Sequence, residues 1–307
     1  MDASLTRQLS RLADQISTIV VGKRPQIEDC IACLLAAGHL LIEDVPGVGK
    51  TTLAHALSVS LGLDFHRVQF TADLMPSDLI GVSVFERAKD AFVFHPGPVF
   101  AQVLLADEIN RAPPRTQSAL LEAMAEHQVT VDGVTHPLPD PFFVIATQNP
   151  VDLAGTYPLP DSQLDRFLLR LHLGYPPEDA ERALLSGIDR RDLIAQSTPV
   201  LDIDSVRALR GAVRDVHASE SLIVYVQRLL ARSRHHPGVR VGLSPRAGLA
   251  LLRASRAHAL LLGRAHALPE DVQTLFISVA AHRLVADADG GDGAALAKSI
   301  LHAVAVD

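Results

Sequence analysis

The stretch from Leu40 to Leu53 restricts the fold of this chain more than any other part of it. A short apolar run passes into a loop with one proline and two glycines, and the loop ends in Lys-Thr-Thr at the start of a segment with helical character. This order of strand, glycine loop and helix is the one that a phosphate-binding P-loop needs. Gly47 and Gly49 have no Cβ, so the loop can curl with its N–H groups turned inward around an anion.

The residues of the predicted P-loop have distinct expected parts in binding a nucleotide. The loop backbone and the N-terminus of the following helix would surround the phosphates. Lys50 would reach the β- and γ-phosphates as a point charge, and the Thr51 hydroxyl would be a ligand of Mg²⁺. The candidate nucleotide-binding residues of this stretch are Pro46, Gly47, Val48, Gly49, Lys50, Thr51 and Thr52.

One position departs from the general motif G-x-x-x-x-G-K-[ST], because Asp44 stands where the first glycine is expected. That glycine lies at the end of the strand, farther from the phosphates than Gly49. We therefore expect the aspartate to make the loop less flexible and to leave its function intact.

Two acidic residues follow a second predicted buried strand, the apolar run from Val103 to Ala106. Asp107 and Glu108 would then lie at the carboxyl end of a parallel sheet, where α/β proteins bind their ligands. Asp107 suits Mg²⁺, held through water, and Glu108 is placed to orient or deprotonate a water that attacks the γ-phosphate. The alternative is that both acids only favour the start of the following helix, and the P-loop upstream makes that reading weaker.

Two further residues are candidates on local grounds. Asn149 follows the apolar strand Phe142 to Ala146, where its amide could bind the γ-phosphate or its water, although a lone asparagine there is more often a turn residue. Arg246 follows Ser244-Pro245, a strong helix start. A cation at a helix N-terminus opposes the helix dipole, so Arg246 favours an anionic partner, and a surface arginine is the ordinary alternative.

Composition limits the partners and the compartment. The 307 residues carry a net charge of −7 and only 4% aromatic residues, which argues against a nucleic-acid-binding surface. No signal-peptide core is visible near the N-terminus, and no apolar run approaches the ~18 residues of a membrane span. We therefore expect a cytoplasmic protein. Cys30 and Cys33 lie within an apolar helical run, which predicts buried, reduced thiols.

The segment Gly174-Tyr175-Pro176-Pro177 is the clearest candidate for a domain boundary. Before it, strand and helix signals alternate, and two predicted hairpins lie at 79–94 and 129–136. After it, the strand signals fade. We predict a nucleotide-binding αβα domain over residues 1–175 and a helical lid over residues 176–307. The predicted lid helices span 178–187, 202–217, 219–235, 245–262, 269–286 and 293–304.

These motifs together resemble the MoxR family of AAA+ ATPases over roughly residues 20 to 285. The resemblance is carried by IEDVPGVGKTTLA at 42–54, FHPGPVF at 94–100, LLADEINRAPPRTQSALLEAM at 104–124, VIATQNP at 144–150, LPDSQLDRF at 159–167 and LSPRA at 243–247. The 104–124 string is the most specific of them, and Asp44 is a variant common in this family. The resemblance implies a parallel five-stranded αβα nucleotide domain followed by a small helical lid.

The resemblance also implies roles for individual residues. Asn149 matches sensor 1, and Arg246 matches sensor 2, on the lid and reaching the γ-phosphate. Arg166 matches the arginine finger, which is inserted into the site of the next subunit. Val21 and Gly22 match the segment beside the adenine. The cofactors implied are ATP and Mg²⁺, with ATP held between neighbours in a ring that is usually hexameric.

The function implied is that of a chaperone-type ATPase that remodels or matures other proteins, often with a von Willebrand factor A domain partner. The two hairpins match inserts that face the pore or a client. Two alternatives stay open: an AAA+ motor on nucleic acid, against which the charge and aromatic content speak, and a chelatase-like subunit that drives metal insertion through a partner. A non-catalytic binding module fits least, because the nucleotide-site residues are all present.

Overall fold

The computed structural model describes residues 3–151, 155–287 and 291–306. Five strands of these segments form one parallel sheet, and short antiparallel pairs account for the others. The strands are β1 (Leu40–Glu43), β2 (Phe65–Gln69), β3 (Gly81–Glu86), β4 (Ala91–Pro96), β5 (Val103–Asp107), β6 (Gln128–Val131), β7 (Val134–Pro137), β8 (Phe143–Gln148), β9 (Leu169–Leu171), β10 (Val239–Val241) and β11 (Val285–Ala286). The parallel sheet has the order β2-β5-β8-β1-β9, which confirms the predicted α/β fold.

Helices cover both faces of the parallel sheet and make up most of the chain after β9. They are α1 (Ala3–Ile19), α2 (Arg24–Leu35), α3 (Lys50–Ser60), α4 (Pro76–Ile80), α5 (Pro114–Glu126), α6 (Asp161–Leu164), α7 (Glu178–Ser186), α8 (Arg190–Gln196), α9 (Ile203–Asp215), α10 (Glu220–Arg234), α11 (Pro245–Leu261), α12 (Pro269–Ala280) and α13 (Gly293–His302). None of the helices in the described segments is long and apolar enough to cross a membrane.

The sheet is buried on both faces, which explains why its strands are continuous apolar runs. In β1, Leu40 and Ile42 join a core that contains residues of α1, α2 and α3, whereas Leu41 joins a second core that contains Leu120 and Leu121 of α5. Successive side chains of a strand point to opposite faces, so every residue of such a run finds an apolar neighbour.

The two predicted hairpins are confirmed as the pairs β3–β4 and β6–β7. The second turns at Asp132 and Gly133, both with positive φ, as a two-residue Asp-Gly turn requires. The predicted start of the first hairpin, at residue 79, is wrong, because Pro76–Ile80 forms a helical turn and the first strand begins at Gly81. Pro76 occupies the first position of that turn, and Asp78 accepts a hydrogen bond from the Met75 amide at 2.8 Å.

The helical part differs from expectation at two places. The predicted helix 269–286 ends at Ala280, because the chain turns there and Val285–Ala286 pairs with Val239–Val241. The short helix α8 was not predicted.

One hydrophobic core holds residues from both sides of the proposed 175/176 boundary, including Leu34 of α2 and Leu251 of α11. The division into two domains therefore stays a prediction. Cys30 and Cys33 are buried free thiols, as expected.

Candidate functional site

The P-loop connects β1 to α3, as its sequence predicts. Its two glycines are needed for their backbone angles, and not because a side chain would collide with neighbouring atoms. Gly47 has φ +85° and Gly49 has φ +97°, a region that other residues rarely adopt. A Cβ added at either position would meet no atom within 4 Å, so open space faces the loop at both glycines. Helix α3 begins at Lys50, which puts Thr51 and Thr52 in its first turn. An anion beside this turn would face the N–H groups of a helix N-terminus.

Lys50 is folded back on its own loop. Its Nζ donates hydrogen bonds to the carbonyl oxygens of Asp44 at 2.6 Å and Val45 at 3.1 Å. Burial lowers the pKa of Lys50, and the negative charges of Asp44, Asp107 and Glu108 act in the opposite direction. The carboxylates of the P-loop and of β5 thus act on the same ammonium group.

A cavity of about 180 Å³ lies beside the P-loop and includes one of the two residues predicted to lie near the adenine. Val21 lines it together with Gly47, Val48, Gly49 and Thr52. Gly22, the other predicted residue, has φ +74°, and a Cβ there would lie 2.9 Å from Pro177 and 2.8 Å from Ala180. The cavity also reaches Pro176, Leu184 and Arg190, so both sides of the predicted boundary contribute to it.

Asp107 lies at the carboxyl end of β5, where its carboxylate is buried and each of its oxygens accepts a hydrogen bond. Oδ1 accepts a hydrogen bond from the Thr147 hydroxyl at 2.6 Å, and Oδ2 accepts one from Arg67 Nη2 at 2.8 Å. The Thr147 hydroxyl also accepts a hydrogen bond from the Glu108 amide at 2.9 Å. One buried threonine therefore holds both acidic residues of the predicted site.

Glu108 has a backbone conformation that non-glycine residues seldom adopt, with φ 57° and ψ 51°. Such strain is concentrated at functional sites. Its Oε2 accepts hydrogen bonds from Arg111 Nε at 2.7 Å and Gln69 Nε2 at 3.1 Å. A general base in this position would have to release these donors before it could accept a proton from water.

Four residues of this cluster were missed from the sequence: Arg67 and Gln69 on β2, Arg111 just after Glu108, and Thr147 near the end of β8. Thr147 could have been found, because it is the penultimate residue of the strand that leads to Asn149, and strand ends at this edge face the ligand. Arg67 and Gln69 carried no signal, since their importance depends on β2 pairing with β5.

Asn149 lies just beyond β8, and β8 lies between β1 and β5 in the sheet, so the asparagine emerges between the P-loop and the acidic pair. Its Oδ1 accepts a hydrogen bond from the Val151 amide at 3.1 Å, which is an Asx turn. The turn interpretation and the phosphate-binding interpretation are compatible, because the turn uses the oxygen and leaves the amide nitrogen to face a ligand.

The site residues fit Mg²⁺ in their chemistry, since a hydroxyl and a carboxylate are hard oxygen donors. Thr51 would supply a direct ligand and Asp107 would hold the ion through water, so only two protein groups would serve it. Mg²⁺ commonly keeps several waters and shares the phosphates of its substrate, so two are enough. In the part of the chain that the structure describes, there is no group of three or more His, Cys, Asp and Glu residues arranged to hold a metal ion.

Arg166 and Arg246 lie away from the P-loop. Arg166 precedes β9, which runs parallel to β1, so it lies at the amino edge of the sheet, whereas the P-loop lies at the carboxyl edge. Arg166 Nη1 donates to the Leu121 carbonyl at 2.5 Å. The Arg246 Nε lies 3.7 Å from Asp165 Oδ2, and Arg283 holds the other oxygen of that carboxylate at 2.6 Å. The ordinary alternative to an arginine finger would be an ion pair of Arg166 with Asp165 or Asp161, and no such pair is present among the described residues, where Asp165 pairs with Arg246 and Arg283.

Arg166 and Arg246 line a shared cavity of about 550 Å³. This cavity is rich in arginine, and Asp165 is the acidic residue in its lining. Its arginines are Arg166, Arg214, Arg246, Arg253, Arg256 and Arg283. Neither Arg166 nor Arg246 lines the cavity beside the P-loop. The assignments of Arg166 as an arginine finger and Arg246 as sensor 2 stay predictions, and both residues lie in a cavity that is not the one beside their own P-loop.

Comparison with known proteins gives a consistent result. Residues 39–169 match the family model described as "ATPase family associated with various cellular activities (AAA)", and residues 231–300 match the AAA lid domain. The chain is 45% identical to the uncharacterized protein YeaC of Bacillus subtilis over 97% of this chain and 94% of that protein. It is 38% identical to chaperone MoxR1 of Mycobacterium tuberculosis, over 92% and 77% of the two chains.

A further relative is protein MoxR of Paracoccus denitrificans, 31% identical over 92% of this chain and 91% of that protein. Among solved structures, a crystal structure from Cytophaga hutchinsonii of a protein proposed to be an ATPase superposes with a TM-score of 0.91 at 35% identity. That match covers 99% of this chain and 96% of the other. The similarity therefore extends through the helical part as well as the sheet.

Proposed function

This chain belongs to the MoxR family of AAA ATPases and is a P-loop ATP hydrolase, and we propose that it uses ATP hydrolysis to remodel or mature partner proteins as a ring of identical subunits. The observation that carries the proposal is the meeting of the P-loop, the Asp107–Thr147–Glu108 cluster and Asn149 at one edge of one sheet. A relative named as a chaperone supports the protein-directed part of the proposal.

Binding of the nucleotide would begin at the P-loop. The amides of residues 47–50 and the first turn of α3 would surround the phosphates, and Val21 and Gly22 would border the base. Lys50 would give up the carbonyls of Asp44 and Val45 for the β- and γ-phosphates. The half-buried Lys50 ammonium would gain more from a phosphate than from neutral carbonyls, because a hydrogen bond between two charged groups is stronger than one to a neutral acceptor.

Thr51 and Asp107 would hold Mg²⁺, which supplies charge neutralisation on the β- and γ-phosphate oxygens when it is bound. Glu108 would orient and deprotonate the attacking water, after Gln69 and Arg111 release its carboxylate. Thr147 fixes the amide of Glu108, so the side chain starts from a defined position. The Asn149 amide would contact the γ-phosphate or the attacking water.

Arg166 and Arg246 would act on the nucleotide of a neighbouring subunit. Both lie at the sheet edge opposite to their own P-loop, in a cavity lined by six arginines and one aspartate. Such a cavity attracts a polyphosphate, and in a head-to-tail ring the carboxyl edge of one subunit can face the amino edge of the next. We propose that this arrangement requires oligomers, with a hexamer as the family resemblance implies.

The hairpin β3–β4 would engage the client. Its strands expose Val82, Val84, Phe85 and Phe92, and Phe92 is 74% exposed. Exposed apolar side chains on a projecting hairpin are suited to bind unfolded or partly folded protein segments. A von Willebrand factor A domain protein remains the proposed partner, and residues 1–175 and 176–307 remain the proposed nucleotide and lid domains.

The test is a substrate trap made with Glu108→Gln. We expect this variant to bind ATP normally and to lose about 10²–10⁴-fold in turnover, because the amide cannot act as a base. In pull-downs, it should retain client proteins with ATP and release them without it. Glu122→Gln, which changes an exposed residue of α5 in the same way, serves as the control.

Three outcomes would overturn parts of the proposal. Normal turnover in Glu108→Gln would remove Glu108 from the mechanism. Capture of the same proteins with and without ATP would argue against remodelling. Salt-sensitive capture of nucleic acid in place of protein would favour the nucleic-acid motor, since phosphate contacts weaken steeply with salt.

A further inference from the structure

Two charged side chains hold the segment Leu173–Tyr175, which connects β9 to α7. The Gly174 amide donates a 2.6 Å hydrogen bond to Asp44 Oδ2. Lys23 Nζ donates to the carbonyl oxygens of Leu173 at 2.5 Å and Tyr175 at 2.7 Å. Three successive backbone groups of the connection are thus fixed by residues that belong to the nucleotide-binding region.

Asp44 contacts this connection and the P-loop at once. Its carboxylate is buried, and Oδ1 accepts a hydrogen bond from the Val45 amide at 2.9 Å while Oδ2 accepts the one from Gly174. Its carbonyl oxygen accepts the 2.6 Å hydrogen bond from Lys50 Nζ. A glycine at position 44 would leave the hydrogen bond from Lys50 intact and would remove both carboxylate hydrogen bonds.

Lys23 links the cavity to the connection by a second set of hydrogen bonds. It lines the cavity beside the P-loop, and its side chain is buried. Among the described residues, its ammonium forms no ion pair and is satisfied by the carbonyls of Leu173 and Tyr175. The connection therefore contacts two buried charged side chains, Asp44 at the start of the P-loop and Lys23 in the lining of the cavity.

The connection is suited to act as a hinge. Gly174 has φ +63°, a conformation that favours glycine, and a Cβ there would meet no atom within 4 Å. Pro176 and Pro177 follow, and each proline has a restricted φ. The flexible part of the connection is therefore short and ends before Pro176. A displacement of Asp44 would reach Gly174 directly, because a short charge-assisted hydrogen bond joins them.

We propose that Asp44 is a positioning residue that couples phosphate binding at the P-loop to the Leu173–Tyr175 hinge, and thereby to the helices beyond it. When Lys50 leaves the Asp44 carbonyl for a phosphate, the P-loop backbone at Asp44 is released, and the Asp44 carboxylate transmits the shift to Gly174. This inference rests on the proposed binding of ATP at the P-loop and adds a role for a residue outside the phosphate contacts.

The test compares Asp44→Gly, which restores the general P-loop sequence, with Asp44→Asn, which keeps the side-chain volume. Hydrogen exchange of a peptide spanning residues 172–176 is measured with and without a non-hydrolysable ATP analogue. We expect the analogue to change exchange in the wild type and to change it little in Asp44→Gly. The affinity for ATP should stay within about threefold, while kcat falls about tenfold, because hydrogen bonds to a buried charged group are lost. Asp44→Asn should lie between the two.

Asp202→Asn is the matched control, because Asp202 also accepts a backbone hydrogen bond, from Ser205 at 2.8 Å, and contacts neither the P-loop nor the hinge. It should leave the exchange response unchanged. A response in Asp44→Gly equal to that of the wild type overturns the coupling. So does a wild type that binds ATP without any change at residues 172–176. A wild type that binds no ATP would instead defeat the proposed function.

Discussion

The Thr147 hydroxyl donates a 2.6 Å hydrogen bond to the buried carboxylate of Asp107, and it does so from the neighbouring strand of the sheet. The same hydroxyl accepts the Glu108 amide hydrogen at 2.9 Å. A hydroxyl that is both donor and acceptor can serve two such groups at once, whereas a methyl group can serve neither. Thr147 thus fixes how the predicted metal ligand and the predicted base lie relative to each other.

We expect Thr147→Val to lower kcat by about tenfold or more and to change the affinity for ATP little. The variant keeps the shape of the side chain and leaves the Glu108 amide without an acceptor, and a buried donor left unpaired costs roughly 1–3 kcal/mol. Steady-state hydrolysis and equilibrium ATP binding measure the two effects separately.

Thr147→Ser retains the hydroxyl and should retain most of the activity. If valine and serine reduce kcat equally, the effect comes from packing at the end of β8, and the hydrogen bonds do not position the catalytic pair.

The missed role of Thr147 shows where sequence reasoning reached its limit. The sequence was sufficient for the P-loop, the strands that lead to the site and the Asp-Gly hairpin, because each depends on residues that are close along the chain. The order β2-β5-β8-β1-β9 depends on pairing between distant segments, and only that order brings Arg67 and Thr147 to Asp107. Local patterns place Thr147 near a strand end at the ligand-binding edge, but they carry no information about which side chains Thr147 and Arg67 contact there.

The end of α12 gives the same lesson in the helical part. The apolar pattern continues past Ala280, so the sequence predicted one helix to residue 286. In the fold, Arg283 turns toward the segment before β9, where it bonds Asp165 at 2.6 Å and the Phe167 carbonyl at 2.7 Å. Contacts with a segment more than 100 residues away therefore override the local helical preference.

A pH-dependent effect on stability is expected from Asp29 of α2. Burial raises the pKa of its carboxyl to about 7, and the charge of Glu28 adds to the rise, against the opposing influence of His258 and a hydrogen bond with Ser278. The folded state therefore holds this proton more tightly than the unfolded chain. The stability that depends on it is fully present below the unfolded pKa of 3.8 and is lost as the pH rises through about 7.

We expect Asp29→Asn to raise the Tm by several degrees at pH 8 and to leave it nearly unchanged at pH 4, because asparagine mimics the protonated carboxyl at every pH. Thermal unfolding at the two pH values tests this. Asp202→Asn should not raise the Tm at pH 8, since hydrogen bonds from Ser205 lower the pKa of Asp202 and favour its charged form. An equal gain at pH 4 and pH 8 would contradict the assigned titration.

The exposed aromatic pair of the β3–β4 hairpin should contribute to client capture and should not affect ATP hydrolysis in the absence of a client. Phe85 and Phe92 face each other edge to face with ring centroids 5.4 Å apart, and both are exposed. We expect Phe92→Ala to reduce client capture in the Glu108→Gln background and to leave the basal ATPase rate of the otherwise unchanged protein within about twofold, as surface substitutions rarely disturb the fold.

Ile223→Ala, which truncates an exposed apolar residue of α10, provides the comparison and should leave client capture intact. Equal loss in both variants would indicate general adhesion by apolar surface. Unchanged capture in Phe92→Ala would remove the hairpin tip from the client-binding surface.

The position of Arg166 predicts action between subunits. It precedes β9 at the amino edge of the sheet, and the Lys50 of the same chain lies at the carboxyl edge. Arg166→Ala should therefore lower hydrolysis by about 10³-fold or more if it stabilises the γ-phosphate as arginine fingers do. Lys50→Ala should be inactive for a different reason, the loss of phosphate binding at its own P-loop.

Mixing the two inactive variants separates action in trans from action in cis. In a mixed ring, an intact Lys50 in one subunit can meet an intact Arg166 of the next, because each variant retains the residue that the other lacks. Trans action predicts that part of the ATPase activity returns on mixing and that it is greatest near equal proportions. Each variant mixed with wild-type protein controls for subunit exchange. If mixed rings form and activity never returns, or if Arg166→Ala alone is fully active, Arg166 does not complete the site of a neighbour.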